Sequence, residues 1–104
     1  MAISNTLLQT TETTLLSASS ETAVLCLVFC NNDTSSRTIT VYAYPSTGSG
    51  MVNTSTIVNS YTIPTLDTFI WDGNEKFILD TGGKVTATSD VANKVSVATS
   101  YKVV

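Results

Sequence analysis

Eight consecutive apolar residues, Ala23-Val24-Leu25-Cys26-Leu27-Val28-Phe29-Cys30, constrain this chain more than any other feature. The run falls far short of the ~20 residues that cross a bilayer as a helix, so no membrane partner is expected. At this length, with Val and Phe in it, the segment reads as a strand. A strand apolar on both faces must be covered on both. One face then belongs in a core, and the other needs a second layer or a neighbouring subunit. Read with period two, Val24, Cys26, Val28 and Cys30 form one row, and Ala23, Leu25, Leu27 and Phe29 the other.

The flanking segments have the same character. Asn31 to Ser36 is a turn cluster by composition. After it, Ile39, Val41 and Ala43 alternate with Thr38, Thr40, Tyr42 and Tyr44, the pattern of a sheet with one buried face. Pro45 to Gly50 reads as a flexible loop. Residues 56–63 and 68–71 read as strands broken at Pro64. Asp72-Gly73 is a hairpin signal before Phe77-Ile78-Leu79, and Gly82-Gly83 turns the chain into residues 84–88. Residues 94–103 alternate again, with Val95, Val97, Tyr101 and Val103 on one side. Seven to nine short strands at this spacing imply an all-β sandwich or barrel. With the apolar run and the alternating strand after it, the expectation is an antiparallel two-sheet β-sandwich with Ala23–Cys30 as a central strand. Residues 1–12, short and Thr-rich, read as an N-terminal arm or edge strand, and 13–104 as a single sandwich domain.

Charge is scarce. Only 12% of the 104 residues are charged, about half the usual share. Thr and Ser, 19 and 13 of them, take over the polar role. Thr is β-branched and suits a pleated surface. The net charge is −3 with the basic residues dispersed, which is no footprint for a phosphate backbone; nucleic acid is not an expected partner. A surface so poor in charge is a weak solubility device, and cover by neighbours in an assembly would relieve it. The first residues lack the basic and apolar regions of a signal peptide, so synthesis in the cytoplasm is expected.

No catalytic, cofactor or metal site is legible. The sequence has no His, the commonest general base. Its lysines fall in turns or at exposed strand positions. Asp67, Asp72, Asp80 and Asp90 all lie beside turns, where Asp bends backbone. Cys26 and Cys30 lie ~13 Å apart along one strand, beyond disulfide reach, and without His or further Cys they are not a metal site. They read as reduced core thiols. Tyr42 and Tyr44 share the outward side of their strand; they could stack on sugar as in a carbohydrate-binding or adhesin module, but an interface patch is the simpler reading. The candidate interface residues are therefore Val24, Cys26, Val28, Cys30, Tyr42 and Tyr44.

The order of these segments resembles a known group. Val28-Phe29-Cys30-Asn31-Asn32, then Thr38-Ile39-Thr40-Val41-Tyr42-Ala43-Tyr44-Pro45 and a Gly/Ser loop, then residues 59–63, Leu79-Asp80-Thr81-Gly82-Gly83-Lys84-Val85-Thr86-Ala87 and a Val-alternating last strand, are similar to small virion proteins of tailed bacteriophages. Gly83 stands where that group usually has Asp. The resemblance implies a jelly-roll-like sandwich used in virion assembly, commonly as a homotrimer, with the major capsid protein or neck and tail proteins as partners. It does not separate a capsid decoration (cement) protein from a neck or tail component; capsid decoration is the reading favoured here.

Overall fold

The computed structural model describes residues 2–48, 50–72 and 77–104. The described residues form nine strands, with a single 3-10 turn at Asn53–Ser55: β1 (Ala2–Leu7), β2 (Thr13–Ser17), β3 (Thr22–Asn31), β4 (Arg37–Tyr44), β5 (Thr56–Ile63), β6 (Thr68–Trp71), β7 (Phe77–Leu79), β8 (Lys84–Ser89) and β9 (Val95–Val103). They form two antiparallel sheets, ordered β1-β9-β3-β6 and β2-β8-β4-β5. The all-β sandwich expected from the alternation is therefore present, with β3 as a central strand.

The segment before Phe77 departs from expectation. β6 and β7 do not pair as a hairpin; both lie antiparallel along the same edge of β3, against residues 27–30 and 22–24 respectively. They act as one interrupted strand. Gly73 of the expected Asp72-Gly73 turn lies outside the described residues. Counting β6 and β7 together, eight strands pack 1-9-3-6 against 2-8-4-5, and the chain crosses between sheets at nearly every connection. That winding is a jelly roll.

β3 also overturns the period-two parity. Its register against β9 runs Val24 to Tyr101 and then Cys26 to Ser100, with Leu25 left as the extra residue of a bulge. A bulge shifts the alternation by one. Val24 consequently joins Leu27 and Phe29 in the core, all three fully buried, while Cys26, Val28 and Cys30 are only half-buried. Val24 is thus removed from the candidate interface. The thiols of Cys26 and Cys30 are not core groups but part of the sheet's outer side.

Ile39 and Val41 of β4, Val85 and Ala87 of β8, and Val95 and Val97 of β9 join them in the cluster between the sheets, with Leu15, Ile63 and Leu79 among its other members. Each fully buried aliphatic side chain of this kind contributes about 1.5–3 kcal/mol. Aromatics close one open side: Phe69 stacks on Tyr61 of β5 at a centroid distance of 4.2 Å, and Trp71 meets Phe77 edge-on at 5.2 Å. Trp71 is a rim residue, partly buried against the core.

Two polar clusters fix the ends. Asn31, fully buried, donates from Nδ2 to the carbonyls of Ser35, Ile63 and Pro64 at 3.0–3.1 Å, and its Oδ1 accepts the Asp33 N–H at 2.9 Å. It ties the end of β3 to the end of β5. Arg37 donates to Asp33 Oδ2 from both Nε, at 2.9 Å, and a terminal nitrogen, at 2.6 Å, and reaches Asp90 at 3.4 Å. The Arg37 hydrogen bond, helped by the Thr34 N–H, holds the Asp33 carboxyl below its ordinary pKa.

Candidate interaction face

The outer side of the β1-β9-β3-β6 sheet is assembled from residues whose cross-strand partners share one face. Ile3, Asn5 and Leu7 of β1 stand opposite Ser100, Ala98 and Ser96 of β9. Those three in turn stand opposite Cys26, Val28 and Cys30 of β3. Val28 is flanked on its other edge by Ile70, and Ala23 by Ile78. The result is a broad face of aliphatic and thiol side chains interleaved with Ser, Thr and Asn. Lys102 of β9, opposite Ala23, adds a charge at one end.

The shape of this face follows from side-chain size. Between β1 and β3, β9 presents Ser96, Ala98 and Ser100 over this stretch, so it forms a low strip between the taller strands. Leu7 and Val28 are its walls, and a shallow groove of about 540 Å³ runs between them. Ile3, Ile70 and Ile78 stand 69%, 57% and 61% exposed, large values for isoleucine. Exposed apolar side chains gathered on one sheet face make this face the candidate for an interaction surface.

The sequence-derived candidates divide three ways. Val24 is core; Cys26, Val28 and Cys30 lie on this face; Tyr42 and Tyr44 lie on the outward side of the opposite sheet, across the sandwich. Ile3, Leu7, Ile70 and Ile78 escaped sequence reasoning. A signal existed for two of them: Phe69-Ile70-Trp71 and Phe77-Ile78-Leu79 are apolar at every position, so each must send one large side chain outward.

Tyr42 pairs with Thr86, and Tyr44 with Lys84. The Tyr44 hydroxyl donates to Glu12 Oε2 at 2.7 Å. Burial, with the Glu12 carboxylate second, raises its pKa above the usual phenol value. Beside it, Tyr44, Pro45, Phe77 and Asp80 line a second groove of about 380 Å³. The Asp80 carboxylate is engaged by the backbone N–H and hydroxyl of Ser46, at 3.1 and 2.8 Å, which also ties down the start of the loop expected to be flexible. Among the described residues, no three His, Cys, Asp or Glu side chains gather where they could hold a metal ion. Comparison of the chain with protein-family models, with curated proteins and with solved structures gives no significant match.

Proposed function

We propose that this chain is a non-enzymatic structural subunit of a tailed-phage virion, a capsid decoration protein that stabilises the head lattice as a homo-oligomer. The observation that carries the reading is the outer face of the β1-β9-β3-β6 sheet, where Ile3, Ile70 and Ile78 stand more than half exposed. In a solitary subunit that face leaves apolar area in water at a cost of roughly 25 cal/mol per Å². Seated against a lattice subunit or a second copy, it removes water from the same area, and many modest contacts of this kind resist expansion of a shell together. The jelly roll suits the role, being an architecture that capsid and lectin domains share. In a trimer of the kind the phage resemblance implies, this face would meet other copies or the major capsid protein.

A carbohydrate-binding module is the second reading, favoured by the groove at Tyr44, Phe77 and Asp80. It is the weaker one, because the Tyr44 hydroxyl and the Asp80 carboxylate are both already engaged within the chain. Co-sedimentation of the purified protein with heads assembled from the phage's major capsid protein decides between them, run beside a glycan array. Saturable binding to heads, lost on replacing Ile70 and Ile78 by Ser, is the expected result. Glycan binding without head binding would reverse the order of the two readings.

A further inference from the structure

We propose that the outer edge of β1 is a self-pairing site, at which Ala2–Leu7 of one copy adds antiparallel to the same strand of a second copy about a twofold axis. The inference concerns an edge rather than the sheet face, and it does not rest on the virion role.

The direction of the backbone groups comes first. Leu8 N–H donates to Val95 O at 2.9 Å, and the register makes Leu8 and Val95 directly opposed. In an antiparallel ladder such hydrogen-bonded pairs alternate with non-bonded ones. Ala2, Ser4 and Thr6 therefore turn their N–H and C=O groups towards β9. Ile3, Asn5 and Leu7 turn theirs away from the sheet, where β1 is the edge. The Leu7 carbonyl has a long 3.5 Å contact from Gln9 Nε2, which an incoming N–H would replace.

The other edges are spoiled for pairing, and this one is not. β2 carries a register break between Thr14 and Leu16. β5 is irregular at two places, and Ser60 within it is left-handed, with φ 51°. Its N–H is taken by Thr40 Oγ1 at 3.1 Å. β6 and β7 are pieces of four and three residues. β1 pairs without a break over six residues, with no Pro and no charge. Natural edges are usually blunted by one of those devices.

A second copy fits this edge by symmetry and by charge. A twofold axis normal to the sheet keeps the outer faces of both copies on one side. Outward-directed residues must then oppose one another, and centring the axis on Asn5 does this. Asn5 meets Asn5 of the second copy, and Ile3 meets Leu7, so the exposed apolar side chains pair across the junction. The chain as a whole carries −3, which makes an uncharged segment the natural place for like molecules to meet. The two sheets become one, and their apolar outer faces become continuous. Five paired residues per copy, Ile3 to Leu7, bury well under the ~1,200 Å² of a stable interface, so this is a weak contact that counts when copies are concentrated or arrayed. A twofold contact cannot close a three-membered ring, so in a trimeric assembly it joins one ring to the next.

Amide hydrogen exchange on the full chain, at millimolar and micromolar concentration, reads the site directly. The amides of Ile3, Asn5 and Leu7 are expected to exchange at least roughly tenfold more slowly in the concentrated sample, while those of Ser4 and Thr6 are protected equally in both. Asn5→Pro removes only an outward N–H, so it should keep the fold and abolish the concentration-dependent doubling of mass seen by sedimentation. If that variant does not fold, Ile3→Lys serves in its place. Unprotected Ile3, Asn5 and Leu7 amides at millimolar concentration, or a mass unchanged by the substitution, would overturn the proposal. Failure to bind heads would count against the virion role and leave this result standing.

Discussion

Val24 and Leu27 lie three residues apart in one strand, yet both point into the same core with no exposed surface. The bulge at Leu25 makes this possible, since opposite β9 the register passes from Val24 directly to Cys26. Deleting Leu25 leaves Val24 in, Cys26 out and Leu27 in, a regular alternation. The fold should survive that deletion at a cost of about 1–2 kcal/mol. Deleting Val28 sends Phe29 and Asn31 to the wrong side and should cost more than about 3 kcal/mol. Urea denaturation of the two variants checks this, and equal losses would contradict the assignment.

Asn31 should be the most sensitive polar residue. Asn31→Ala leaves the carbonyls of Ile63 and Pro64 without their donor and is expected to cost on the order of 2–4 kcal/mol. Asn31→Asp should be worse, because it aims a carboxylate at three carbonyl oxygens in a buried site. Thermal melts that rank Asp above Ala in stability would show that the site is wetter than its burial implies.

The Asp33–Arg37 pair gives a pH dependence of defined sign. The folded carboxyl titrates below its unfolded value of about 3.9. Its contribution is therefore fully present above that pH and lost as pH falls through the depressed folded pKa. Wild type should lose stability on acidification in this window more steeply than Asp33→Asn. Parallel stability curves for the two proteins would remove the pair from the account.

Ile70→Ser and Ile78→Ser should separate assembly from folding. Both side chains are more than half exposed, so each substitution is expected to change stability by no more than about 0.5 kcal/mol. Association through the sheet face should nonetheless weaken by tenfold or more, roughly 1.4 kcal/mol, for the pair. Binding isotherms beside melting curves test both halves.

Thr99 faces the core from β9, fully buried, and its hydroxyl has no hydrogen-bond partner among the described residues. Thr99→Val keeps the shape and removes an unsatisfied polar group, so it should raise stability by about 1 kcal/mol. A lower melting temperature would reveal a partner for that hydroxyl.

Much of this fold was legible locally. Ile39, Val41 and Ala43 point inward as their alternation required, and so do Val95 and Val97, because a pleated strand has period two whatever it pairs with. The all-β class, the central place of the apolar run and the turn at Gly82-Gly83 followed from the same local rules. Three things did not. The bulge at Leu25 exists only relative to β9, so nothing within residues 23–30 announces that Val24 belongs with Leu27. The placing of β6 and β7 along one edge depends on β3, not on the residues between them. And the outer face gathers Ile3, Val28, Ile70 and Ala98 from distant parts of the chain. Side-chain alternation is a property of each strand by itself, whereas register and sheet order are properties of pairs; the first was written in the sequence, and only the tertiary structure could decide the second.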